Sequence, residues 1–471
     1  GFASVVRNRR VSGSEFPRFR EDWVYRLTYG YKGRYLFETN GAYNGSEQFG
    51  PQNRFAFFPS FSPGWVISQE PFMKKLTFID NLKFRGSWGR IGDDALGGGI
   101  PRFPFRDALA YGGAAQLGQS AGNTSPYTIY RINTLGNPTL SWETSEKRNV
   151  ALEYSFFKGK ISGNVDVFSD RRTGVVVNAT GRALPTFYGF FNSAPAVNVG
   201  EVKSKGYEIE LKLNHSFNST TRIYLNTAVT HAENKTIFRD DAELLPAYQK
   251  QQGYAIGQTT AYLDKGFLSS WDDIYGSTTR SANNANKLPG DYNIIDYNAD
   301  GTIDNKDRAP FGYTGNPQNT YNANIGFEWK RLSLFVQFYG VNNVTREVTF
   351  TNFQGRSNVI FVEKPFYFVQ DGGGEVPPPR KNAPDPFASE GTRYLYDGSY
   401  VRLKNAELGY SIPTNYVNKI GLKTCRIYVN GNNLLLWTKM PDDRESNFSG
   451  GSGGGAYPTI RRFNLGLDIT L

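Results

Sequence analysis

The feature that most restricts this chain is a two-residue alternation of apolar and polar side chains that recurs along its length. In the last stretch, Phe463, Leu465, Leu467, Ile469 and Leu471 alternate with Arg462, Asn464, Gly466, Asp468 and Thr470. An extended backbone throws successive side chains to opposite faces, so this stretch is a strand with one apolar and one wet face. Tyr207, Ile209, Leu211 and Leu213 sort the same way against Glu208, Glu210, Lys212 and Asn214. So do Leu332, Leu334, Val336 and Phe338, and Cys425, Ile427 and Val429. Within Tyr400–Ser411 the phase slips between Leu403 and Ala406, which predicts a bulge. Helical periodicity of comparable length is absent, and no stretch approaches the ~18 apolar residues of a spanning helix.

Alternation suits a soluble sandwich and a membrane barrel equally; the connections separate them. The pattern reads as roughly thirteen strands, near 22–31, 35–45, 53–67, 80–91, 141–156, 161–171, 200–214, 221–232, 319–329, 332–342, 398–412, 423–438 and 460–471. Short joins, such as Lys32-Gly33-Arg34 and Lys330-Arg331, alternate with long excursions near 92–140, 172–199, 233–318, 343–397 and 439–459. Tight turns at one end and long loops at the other are the habit of outer-membrane barrels. The fold class expected is therefore all-β, a transmembrane antiparallel β-barrel. An odd strand count cannot make a whole barrel of even number. The reading thus expects strand 22–31 to be an unpaired edge, with upstream barrel and plug lying outside residues 1–471.

Composition narrows the chemistry. One cysteine, Cys425, excludes an internal disulfide framework and a cysteine-rich zinc site. The two histidines, His215 in an expected turn and His231 near a strand end, supply little for metal or triad chemistry. A net charge of +10 is spread along the chain without a basic block, which argues against a nucleic-acid partner. Aromatic residues reach 15% although the mean hydropathy is −0.50, too rich for a disordered chain.

Several segments resemble SusC/RagA-type TonB-dependent transporters. They include Lys32–Phe49 (KGRYLFETNGAYNGSEQF), Phe58–Trp65 (FPSFSPGW), Leu82–Gly89 (LKFRGSWG) and Asn198-Val199-Gly200 followed by Lys205–Glu208. Pro289-Gly290-Asp291, Asn430–Leu434 with Trp437-Thr438, and Tyr457-Pro458 continue the match in order. The resemblance implies the C-terminal part of a barrel with 22 strands in the family, located in the outer membrane of a Gram-negative bacterium. It implies import of oligosaccharides or peptides together with a SusD-like surface lipoprotein. The plug and the TonB-coupling segment would lie upstream. The alternative is a receptor or adhesin scaffold whose loops bind a partner without transport.

One segment carries recognisable metal chemistry. Asp296, Asn298, Asp300, Asp304 and Asp307 fall at positions 1, 3, 5, 9 and 12 of a calcium-type loop, with Gly301 at the turn and the Thr302 carbonyl as backbone donor. A structural Ca2+ is the expected cofactor. Paired carboxylates Asp272 and Asp273 lack a second acid at a working distance, so no enzymatic role is assigned. Ser449–Gly455 reads as a flexible outer loop rather than a phosphate cradle, since no Lys-Ser/Thr pair follows. Trp271, Tyr275, Phe366 and Tyr367 sit in long loops where substrate faces could stack; loop packing or lipoprotein contact is the competing role.

Overall fold

The computed structural model describes residues 1–10, 18–97, 100–115, 127–178, 181–185, 194–281, 284–347, 373–374, 391–440 and 459–470. Fourteen strands pair in chain order into one antiparallel sheet. They are β1 (Phe2–Arg10), β2 (Arg18–Tyr31), β3 (Tyr35–Ser46), β4 (Phe55–Val66), β5 (Ile79–Asp93), β6 (Glu143–Phe156) and β7 (Ile161–Val177). The second half comprises β8 (Val197–Asn218), β9 (Thr221–Phe238), β10 (Asn319–Trp329), β11 (Leu332–Asn342), β12 (Tyr400–Ser411), β13 (Thr424–Thr438) and β14 (Arg462–Thr470).

The expectation of thirteen strands is corrected by β1. Phe2–Arg10 pairs along its whole length with β2, so the 22–31 segment is not an edge and the odd-count argument falls. The alternation missed this strand because Phe2 and Val6 share a face with Ser4 and Asn8, opposite Arg26 and Asp22 of β2. Among the described residues the sheet remains open, with β1 and β14 at its two edges. A second correction concerns His215. It lies inside β8, edge-on to Phe217, because the turn is confined to the two residues after Asn218. The expected bulge is present, as a register shift between Leu403 and Asn405 against β13.

Short hairpin turns set the register at one end. Lys32 (φ 51°) and Gly33 (φ 66°) adopt the left-handed pair that a type I′ hairpin needs, closed by Arg34 N–H donating to the Tyr31 carbonyl at 3.0 Å. Lys330 (φ 54°) supplies the one left-handed residue of the turn between β10 and β11. At the other end lie the long connections. One of them, read as loop throughout 92–140, holds a hairpin of Ala108–Ala115 and Tyr127–Thr134.

No second layer covers the sheet among the described residues. The chain exposes 28747 Å², whereas a compact soluble protein of this mass exposes about 18,000 Å². One face is apolar and open: Phe463, Leu465, Leu467 and Ile469 are 71, 77, 55 and 49% exposed. The same face carries Phe84, Val150, Val167, Tyr207 and Ile209, all exposed. The other face is a web of charges. Arg85 reaches Glu153 (2.8 Å) and Asp166 (2.7 Å), Lys83 also meets Glu153, and Arg426 links Glu407 to Asp468. Apolar outside and ion-paired inside is the arrangement of a barrel wall in lipid. No helix is long and apolar enough to cross a membrane.

True buried clusters sit at the long-connection end. Phe49, Phe58, Leu140, Trp142 and Ala196 form one, with Trp142 packed against Phe49 (5.3 Å) and Phe58 (5.5 Å). Val341, Val344, Tyr400 and Met440 form another. In the barrel, Ile209→Lys should destabilise by ~2–4 kcal/mol, against little for Glu210→Lys on the polar face. Denaturant titration of the protein refolded into liposomes is the check, and equal costs on both faces would refute the lipid assignment.

Candidate functional site

The 239–318 connection folds as a small lobe because its apolar residues are grouped where short strands can pair. Thr260–Tyr262 pairs with Arg308–Pro310, Asp264–Phe267 with Tyr292–Ile294, and Thr279–Arg280 runs parallel to Thr302–Ile303. Tyr262, Tyr292, Ile294 and Ile303 are buried together with Tyr394, which comes from the 343–399 connection. A bridge between Tyr262 and Gly391 joins the two connections further. Arg393 locks the junction: its guanidinium lies over Phe267 (4.6 Å) and Tyr292 (5.3 Å) and pairs with Asp264 at 2.7 Å. Stacking and a charge-assisted hydrogen bond from one side chain favour a single geometry. Burial and the adjoining Tyr394 hydroxyl push the Tyr292 phenol upward, so it stays neutral.

The calcium-type spacing falls on the far edge of this lobe. Asp296 accepts from the Asp300 and Gly301 amides, at 3.2 and 2.8 Å. Asn298 accepts from the Asp300 amide and donates to the Asp300 carboxylate, which also accepts from Thr302 N–H. Those two donors hold the Asp300 carboxyl below its usual range. Asp304 and Asp307 form a reciprocal cap on the short turn 305–307. Asp307 is fully buried, and its two oxygens accept from the amides of Tyr297, Asn298 and Asp304. Ala299 and Gly301 take positive φ, which is how the turn brings its amides inward. The oxygen donors suit a hard cation, yet among the described residues no three acidic, histidine or cysteine side chains converge on a common point.

Trp271 and Tyr275 lie on a helix of six residues, Trp271–Gly276, started by a capping box between Ser270 and Asp273. Their spacing of four puts the rings on one side, with centroids 6.4 Å apart and exposures of 53 and 82%. Asp273 is spent on the cap. Phe366 and Tyr367 lie outside the described residues, as does Ser449–Gly455. Between the lobe and the ends of β7 to β9 opens a cavity of about 630 Å³, lined by Val176, Glu201, Phe238, Arg239, Tyr248 and Gln251 among others. A cavity of that size admits a small oligomer.

Comparison with known proteins decides the family. A profile described as "TonB dependent receptor-like, beta-barrel" matches residues 19–434. The chain belongs to that family. This receptor barrel is 27% identical over 475 residues to the TonB-dependent receptor P3 of Formosa agariphila, covering 94% of the chain and 45% of the relative. To TonB-dependent receptor SusC of Bacteroides thetaiotaomicron it is 24% identical, covering 94% and 43%. The RagAB peptide importer in its open-open state shares the fold, with a TM-score of 0.69 at 18% identity over 98% of this chain and 48% of that one. The chain thus spans about half the length of the curated relatives it matches. SusC/RagA-type kinship and an outer-membrane location, both expected from the motifs, hold.

Sequence reading missed Lys287. It is buried, donating to Ser277 Oγ (2.8 Å) and the Thr278 carbonyl (2.7 Å). Burial and the Arg280 charge push its ammonium down to about 8, with Asp291 pulling the other way. No local motif marks such a lysine; only the folded lobe desolvates it. The unfolded chain keeps this proton up to about 10.4, so between pH 8 and that value the unfolded state binds more protons. Lobe stability should therefore rise with pH across that window, and Lys287→Met should flatten the rise. The check is urea unfolding of the lobe followed by tryptophan fluorescence at several pH values.

Proposed function

We propose that this chain is the C-terminal part of an outer-membrane active importer of oligosaccharides or peptides. It works with a SusD-like surface lipoprotein on the long-connection side and is energised through TonB by the upstream part of the same protein. One observation carries the reading: a lipid-facing sheet whose long connections all gather at one end, where two of them join into an ordered lobe around Tyr292, Tyr394 and Arg393. Such a lobe offers a fixed surface for a lid and for cargo above a polar barrel interior. Family membership supports the transport class, and its relatives are named as receptors and an importer rather than as enzymes.

Trp271 and Tyr275 are the proposed substrate-stacking pair, because exposed rings held on a capped turn cost little to order on binding. Replacing both by Ala should weaken cargo binding to the full-length protein about tenfold, or ~1.4 kcal/mol. Calorimetry against panels of oligosaccharides and peptides reads this out and separates the two cargo classes. Cargo uptake by cells that is unchanged when the whole protein is deleted, with partner binding by the purified protein retained, would favour the scaffold alternative.

Calcium remains part of the proposal. Asp296, Asn298, Asp300, the Thr302 carbonyl, Asp304 and Asp307 would hold it. The ion would offset the mutual repulsion of these carboxylates. Asp300→Asn should abolish calcium uptake and raise protease sensitivity within 239–318. A chelator that changes neither would remove the ion from the account.

A further inference from the structure

The outward face carries a second pattern besides its apolar band. Arg90, Glu146, Arg171, Lys203 and Lys235 are direct cross-strand neighbours in one row across β5 to β9. The next row toward the short turns holds Trp88, Arg148, Ser169, Lys205 and Glu233. Below it the face turns apolar, with Val150, Val167 and Tyr207. Counted from the short turn, Arg171 is the eleventh residue of β7, which starts at Ile161. A strand needs ~9–11 residues to cross the hydrocarbon layer, so the bases stand where lipid tails give way to headgroups, on the long-connection side.

Six bases in these two rows face three acids: Glu146 and Glu233 in the rows, and Glu201 beside Arg171. Arg148, Arg171 and Lys205 keep 69, 60 and 64% of their side chains exposed despite those pairs. Lys203 and Lys235 are exposed neighbours with no ion pair among the described residues. Lys203 and Lys235, side by side and next to Arg171, whose own partner is Glu201, disfavour one another unless a further anion lies across them. Water-facing rims do not need that arrangement, and mid-membrane faces do not tolerate it.

We propose that this patch binds the phosphate-bearing headgroup of an outer-leaflet lipid, with the acyl chains laid along the apolar band below. The inference rests on the long connections facing the cell exterior. It fits a phosphorylated glycolipid: long flexible bases reach the phosphates, and Trp88, with Arg90 stacked 5.6 Å over it, sits at headgroup depth.

The test uses the full-length protein in nanodiscs, titrated with lipid A and with its dephosphorylated counterpart, and read by native mass spectrometry. The triple variant Arg171→Gln/Lys203→Gln/Lys235→Gln should bind lipid A at least ~tenfold more weakly, while Lys212→Gln on the polar face should not. Wild-type binding should fall as salt rises, and dephosphorylated lipid should not distinguish wild type from variant. Should the triple variant fail to fold, Lys203→Gln alone and the salt series on wild type decide. Equal binding of the two lipids by wild type, or lipid A affinity indifferent to salt and to these bases, would overturn the proposal. Retained cargo binding in the lipid-deficient variant separates this patch from the import reading.

Discussion

A chain in hydrocarbon must pair every backbone N–H and C=O with another backbone group, and the rest of this structure depends on that demand. Lipid offers no hydrogen bonds, so each strand is obliged to find neighbours on both sides. The meander meets the demand for β2 to β13 in the most local way, each strand pairing with the next in the chain, while β1 and β14 have one partner each among the described residues. It also explains how a chain with a mean hydropathy of −0.50 can live in a membrane. Only alternate residues meet lipid; the others are free to carry Arg85, Glu153, Asp166 and their kind.

The same demand divides the molecule energetically. The sheet is held by main-chain pairing and lipid, and its outward apolar side chains are left exposed by the protein itself. The buried apolar clusters lie at the long-connection end, where Phe49 with Trp142 and Tyr292 with Tyr394 close small cores. Function is therefore built where the membrane does not dictate the sequence, on aromatic and ionic contacts like those of an ordinary soluble lobe.

Legibility followed that division. Period two and the turn chemistry made most of β2 to β14 readable, including the slip at Leu403, because in lipid the solvent-like phase lies on one known face. Phe2–Arg10 escaped because Phe2 and Val6 break the alternation on its polar side. The upper ends of β7 and β9 reach Val177 and Phe238, beyond the expected 171 and 232, because Arg172, Glu233 and Lys235 carry the strands on with charges that the alternation does not mark. In the lobe, the acids of 296–307 could be named from their spacing, and Trp271 and Tyr275 from their place in a long connection. The junction of Arg393 with Asp264 could not, since 129 residues separate the partners, and neither carries a local signal. The spacing of Asp296 to Asp307 gave no hint that Asp307 would be fully buried beneath backbone amides.

The short turns have a consequence for how such a barrel can diversify. Lys32-Gly33 and Lys330-Arg331 fix which residue faces which at one rim, so strand alignment is settled without reference to the other rim. Insertions or deletions between β9 and β10, or between β11 and β12, then leave the wall unmoved. Lineages carrying this architecture can rewrite what they recognise while the part that must survive in lipid stays the same.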